Sequence, residues 1–247
     1  MKRFMLVLAL IGLAVGVAFA LDIKIGYFDN PPHIFMGKTK VEGVLVDYWE
    51  KYAAPSMGIT VEWVGPLPPA RLFSMLQSGE INSIALLSKN PEREKLYDYP
   101  EKPFQDVSAG VAVLHETAAS ITSIDSLRGL RISFFKDGFI SPTLKAVDIK
   151  WDFLTATDWK VQGLEKLAAK RVDGVYDPDS TTLIYAVKSN KKFAGLMETV
   201  PLKGTESANY SLFSKKDNGA FLKLYNQFRR ATRIKYPDML ADYLSKQ

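Results

Sequence analysis

The sequence predicts an α/β fold in two lobes, each a mostly parallel sheet flanked by helices, joined by two hinge strands. Three observations carry that prediction. Short apolar runs alternate with helical periodicity along the chain, the pattern of parallel strands linked by crossover helices. The series of elements starts again beyond the extended stretch Ser108–Leu114. A second extended stretch, Ser207–Phe213, lies where a chain that has built a second lobe must return to the first. The expected boundaries are residues 21–108 and 208–247 for lobe one and 109–207 for lobe two.

The first twenty residues stand apart from this pattern. Lys2 and Arg3, the apolar run Phe4–Val17 and the small-x-small Ala18-Phe19-Ala20 read as a cleaved signal peptide. The run is shorter than the ~20 residues a membrane span needs. No Cys follows it to carry a lipid anchor, so the expectation is a free periplasmic protein starting near Leu21.

From there, Asp22–Tyr27 alternates polar and apolar residues as a strand does, and Phe28–Pro32 is turn-rich. Gly43–Ala54 has helical spacing, ended by Pro55 and Gly58. Ile59–Val64 is a strand, Pro69–Gln77 a helix with Pro in its first turn and Gly79 past its end, and Ile81–Leu87 a strand. In the second lobe, Ser123–Leu130 reads as a short helix and turn, and Ser141–Val147 as a helix opened by Ser141-Pro142. Further helices are expected at Asp158–Lys170 and Ser180–Lys188, with strands at Arg131–Phe135, Lys150–Leu154, Val172–Tyr176 and Phe193–Met197. Two helices, Ala220–Ile234 and Pro237–Lys246, close the chain.

Composition narrows the function. The chain has 247 residues, 47% apolar and 24% charged, which fits a globular protein and excludes disorder. The absence of Cys excludes a disulfide scaffold, Cys-ligated zinc, iron–sulfur clusters and a thiol nucleophile. His33 and His115 are the only histidines, too few for a histidine-rich metal site, so no cofactor is expected. Loss of Lys2 and Arg3 lowers the formal charge from +5 to +3. The densest basic stretch, Arg229–Lys235, lies on an amphipathic helix and reads as a solvated face; no nucleic-acid partner is expected.

In open α/β sheets ligands bind beyond the carboxyl ends of strands, so both lobes should aim their functional loops into the cleft between them. Ser88 and Arg93 flank a turn directly after a buried strand. A guanidinium fork matches a carboxylate in two parallel hydrogen bonds, and a serine hydroxyl adds a third; the alternative for Arg93 is a surface ion pair with Glu92 or Glu94. Asp177 and Asp179 follow a strand of the second lobe and suit either an ammonium group or a helix cap. Tyr27, Phe28 and Phe35 are candidates to sandwich the apolar part of a ligand, or to pack into core and rim. Arg71 either reaches the cleft or stays solvated. Phe139 and Ser141 belong to the loop 136–141, which leads into a helix N-terminus able to attract an anion. Trp49 and Trp63 read as core.

The segments Ile23–Phe35 (IKIGYFDNPPHIF), Gly43–Glu50 (GVLVDYWE), Leu67–Ile81, Ser88–Phe104, Ser123–Ser133 and Arg171–Asp179 (RVDGVYDPD) come in an order that resembles the family 3 extracellular solute-binding proteins. These are periplasmic binding proteins of the polar amino-acid type, with the type II fold. The resemblance implies a hinged receptor whose Ser-x4-Arg motif, here Ser88 and Arg93, grips the α-carboxylate of an amino acid or another small carboxylate. It also implies delivery to an inner-membrane ABC permease and a monomeric state. The family's amino-group Asp lies one residue beyond Asp177, where this chain has Pro178, so that role falls to Asp177 or Asp179. Two alternatives share the fold: a ligand-sensing partner of a membrane receptor, and a dehydratase drawing an acid from Glu101, Glu116 or Glu198.

Overall fold

A computed structural model describes residues 21–136 and 138–246; the expected signal peptide and Asp137 of the loop 136–141 lie outside them. The chain opens with β1 (Leu21–Gly26), a small hairpin of β2 (Phe35–Met36) and β3 (Val41–Glu42), α1 (Val44–Tyr48), a π turn over Trp49–Ala53 and α2 (Ala54–Met57). Then follow β4 (Ile59–Val64), α3 (Pro69–Ser78), β5 (Ser83–Ser88), α4 (Pro91–Leu96) and β6 (Gln105–Val107). The middle of the chain supplies β7 (Gly110–Leu114), α5 (His115–Ala118), β8 (Arg131–Phe135), α6 (Pro142–Lys145) and β9 (Lys150–Leu154). It continues through α7 (Trp159–Ala168), β10 (Gly174–Asp177), α8 (Ser180–Ser189) and β11 (Met197–Pro201). The chain ends with β12 (Ser207–Phe213), α9 (Ala220–Ala231) and α10 (Tyr236–Ser245).

Two five-stranded sheets result, ordered β4-β1-β5-β12-β6 and β11-β7-β10-β8-β9. In the first, β1 runs parallel to both β4 and β5, while β12 returns antiparallel between β5 and β6. In the second, β8 is parallel to β9 and β10, and β7 is antiparallel to β10 and β11. Each sheet has a separate apolar cluster on either face, so each lobe is a helix–sheet–helix sandwich. The C-terminal helices complete the first of these through Phe221, Tyr225, Phe228, Tyr236 and Leu240. The chain passes between sheets at residues 108–109 and 202–206. There the Leu202 N–H donates to the Ala109 carbonyl (2.8 Å) and the Ala109 N–H to Thr205 Oγ1 (3.0 Å), which ties the crossings side by side.

Several elements differ from the sequence expectation. The first helix passes Pro55, because the π turn at Trp49–Ala53 precedes it and Pro55 then occupies the first turn of α2, where no donor is needed; Gly58 (φ 68°) ends it. The expected strand Phe193–Met197 is displaced to β11. Phe193 instead anchors a turn, its N–H donating to Asn190 O (2.9 Å), and Gly195 (φ 82°) breaks any ladder before Met197. Ser123–Leu130 contracts to a 3-10 turn at Ile124–Leu127, held by reciprocal Ser123 and Ser126 bonds. The last long helix stops at Ala231, three residues before Ile234, since Thr232 is extended.

Candidate functional site

The carboxyl ends of β5 and β10 face each other across a cleft between the sheets, enclosing a cavity of about 110 Å³. Its wall is largely apolar: Phe28, Leu67, Leu86, Phe134, Phe135, Phe139 and Trp159, with Pro66, Pro68 and Pro69. Ser88, Arg93, Asp177 and Asp179 line the same space. The structure therefore brings together the cation and the acids that the sequence placed on opposite lobes.

On the first lobe, β5 is buried along its whole length and ends at Ser88. Asn90 caps α4 by accepting the Arg93 N–H (2.8 Å), and Pro91 presets the first turn. This turns the Arg93 side chain back over the strand end, where Nη1 donates to the Ser88 carbonyl (2.9 Å) and the guanidinium lies 5.2 Å from the centre of the Phe73 ring. Among the described residues Arg93 makes no ion pair, whereas its neighbour Glu94 pairs with Lys89 (2.6 Å). Burial pushes the Arg93 guanidinium below its ordinary value, against the opposing influence of Tyr99, Tyr97 and Glu92. A half-buried cation with donors to spare is suited to an anion.

On the second lobe the two described acids that line the cavity are both hydrogen-bonded. Asp177 Oδ1 accepts the Asp179 N–H (2.9 Å), and its Oδ2 lies 2.8 Å from Lys160 Nζ. Lys160 also donates to Asn30 Oδ1 on the first lobe (3.1 Å). Asp179 caps α8 by accepting the Thr181 N–H (3.0 Å), while its Oδ2 meets His33 Nε2 (3.0 Å) and Asn209 Nδ2 (3.0 Å). A carboxylate requires His33 Nε2 to be the donor, so Nδ1 can accept the Tyr236 hydroxyl 2.6 Å away. Burial would raise the Asp179 carboxyl, but the His33 and Thr181 hydrogen bonds outweigh it and hold it below the usual carboxylate range. His33 is brought there by α1: the Leu45 N–H donates to the His33 carbonyl (2.8 Å), and a Cβ at Gly43 would lie 2.4 Å from that oxygen.

Other expected site residues lie elsewhere. Tyr27 is core, edge-on to Trp63 (6.2 Å). Arg71 is exposed and sits 3.6 Å from Glu80. Ser141 caps α6 by accepting the Leu144 N–H (3.3 Å), and Phe35 lies in the small hairpin. The acids named for proton transfer are paired on the surface, Glu101 with Arg230, Glu116 with Lys170 and Glu198 with His115. Sequence reasoning missed Lys160, His33, Asn209 and Tyr236. Lys160 left a readable signal: with Gly163, Leu164 and Leu167 it falls on the buried stripe of α7, where a lysine is out of place without a partner.

The family model of bacterial extracellular solute-binding proteins, family 3, matches residues 23–235. The chain belongs to that family. Among solved structures, this family member is similar to the GluR0 ligand-binding core in complex with L-glutamate, at 19% identity and TM-score 0.76 over 94% of this chain and 99% of that one. It is also similar to an ancestral amino-acid-binding protein described as a precursor of cyclohexadienyl dehydratase (19%, TM-score 0.72, 90% and 94%). A third is an amino acid ABC transporter substrate-binding protein from Streptococcus pneumoniae bound to L-arginine (15%, TM-score 0.72, 91% and 93%). A search among curated proteins finds no match. These likenesses establish the two-lobed type II architecture of a solute-binding protein. Among the described residues, no helix is long and apolar enough to cross a membrane.

Proposed function

We propose that this chain is an exported, non-catalytic receptor that captures a small carboxylate-bearing solute between its lobes and delivers it, as a monomer, to an inner-membrane ABC importer. Amino acids and simple organic acids are the candidate solutes. One observation carries the reading: Arg93, half-buried over the end of β5, lines the cavity and among the described residues pairs with no carboxylate. A solute carboxylate would complete the guanidinium fork, with the Ser88 hydroxyl as a further donor. The crossings, tied at Ala109, Leu202 and Thr205, suit a hinge on which lobe two closes. Closure excludes water and strengthens the charge-assisted bonds, and the closed form would be the shape that a permease reads. Isothermal calorimetry of the mature protein against amino acids and small carboxylates tests the reading. One-to-one binding of at least one, with a Kd on the order of micromolar or tighter, is the expected result. Folded protein that binds none overturns it.

A further inference from the structure

Within that reading, we infer that Lys160 supplies from the protein itself the ammonium that pairs with Asp177, so that the cleft selects small carboxylates carrying no ammonium over their α-amino counterparts. The inference rests on the proposed receptor role and narrows the chemical class of its solute. Lys160 is 8% exposed, and its Nζ is held by Asp177 Oδ2 at 2.8 Å and Asn30 Oδ1 at 3.1 Å. The second Asp177 oxygen accepts the Asp179 N–H, and both Asp179 oxygens are engaged. Among the described residues, lobe two thus presents the cavity with two carboxylates whose oxygens each already accept a hydrogen bond, and Lys160 neutralises the charge of one of them. An ammonium that took over Asp177 would displace Lys160 and leave that buried cation with the Asn30 amide oxygen alone, a costly exchange. Among the described residues the one other acid on the wall is Asp29, half-buried on the lobe that carries Arg93, and its Oδ1 already accepts the Met36 N–H (2.8 Å).

Among the described residues no counter-charge faces Arg93, and the cavity wall is aromatic and proline-lined. A monoanion with a compact apolar body suits both; a zwitterion brings a second charge that must be desolvated without compensation. Lys160 is therefore a specificity-determining residue, set 5.3 Å from the neighbouring Trp159 ring.

Matched pairs test this by calorimetry on the mature protein: 3-methylbutanoate with L-valine, 4-methylpentanoate with L-leucine, and 3-phenylpropanoate with L-phenylalanine. The expected result is that whichever pair binds favours the ammonium-free acid at least tenfold. Lys160→Met leaves Asp177 unpaired and should reverse the preference, since the amino acid alone can neutralise it. Lys160→Arg keeps a cation and should retain the wild-type order. Should Lys160→Met fail to fold, the wild-type and Lys160→Arg preferences still decide. Tighter binding of the amino acids by the wild type, with or without dependence on Asp29→Asn, overturns the inference and leaves the receptor role standing. Absence of binding by either set to folded protein, extended to the wider panel above, overturns the receptor role and the inference with it.

Discussion

The two walls of the cleft hold their charges in opposite ways. On the first lobe, Arg93 is half-buried against Phe73 and the Ser88 carbonyl, and among the described residues no acid pairs with it. On the second, Asp177 and Asp179 are buried more deeply, yet each oxygen has a donor, and two of those donors, Lys160 and His33, serve to bridge or brace the lobes. A buried charge that is fully paired contributes to holding the structure; one left incomplete costs stability until a ligand completes it. The first wall should therefore govern binding, and the second, closure and stability.

The largest effect separates these roles. Arg93→Met removes the fork and its half-buried positive charge together. Solute affinity should fall at least about a hundredfold, on the order of 3 kcal/mol, as expected for two charge-assisted hydrogen bonds. The unliganded protein should be no less stable, because among the described residues the lost guanidinium has the Ser88 carbonyl as its one hydrogen-bond acceptor. Calorimetry and thermal unfolding of one preparation check both halves. Retained affinity, or unfolding well below the wild type, would erase the contrast between the walls.

Asp179→Asn should act in the reverse sense. The amide would place a donor against His33 Nε2 or Asn209 Nδ2, so the unliganded protein should lose about 2–3 kcal/mol, a fall in Tm of roughly 5–10 °C for a chain of this size. The sign with pH follows from the direction of the shift. The folded protein holds the Asp179 carboxyl below the usual range, so the unfolded chain takes up the proton first. Its contribution is complete above the ordinary carboxylate range and is lost as pH falls through that range toward the folded value. Wild-type Tm should thus drop more steeply than that of Asp179→Asn between about pH 5 and pH 3. Asp152 and Asp173 act in the same direction: burial pushes each up, and Lys166 with Ser133 for the first, and Arg131 for the second, bring them down. Both remain in the variant, so the comparison of slopes isolates Asp179.

The same division explains what could be read from the sequence. Arg93 was legible because strand end, Asn-Pro cap and Arg are local, separated by a handful of residues whose geometry a turn dictates. The alternation of strands and helices was legible for a similar reason, since each element writes its period into its own residues. The braces of the second wall are not local. His33 meets Asp179 across 146 positions and Tyr236 across 203, and no spacing rule connects them. Asp177 stands where a strand-end acid belongs, but its partner Lys160 lies on another element, so its being already neutralised was invisible. Phe193 illustrates a different failure: its hydrophobic run is real, but it seats a turn in the core, and the following glycine decides against a strand.

The smallest effect marks the outer edge of the first wall. Arg71 shares charge, lobe and family segment with the binding machinery, and the sequence leaves it a candidate. Its side chain is 57% exposed and stands 3.6 Å from Glu80, itself 52% exposed. In high dielectric such a pair gains little over two hydrated ions, because water screens the attraction and ordering two long side chains opposes it. Arg71→Ala should therefore change stability by less than about 0.5 kcal/mol and shift the solute Kd less than about twofold. Salt titration sharpens the point. Wild type and variant should show the same dependence of affinity on ionic strength if Arg93 alone supplies the local field. A larger loss in Arg71→Ala, growing as salt is lowered, would mean that the anion is drawn in along a longer basic path, extending the functional wall from α4 to α3.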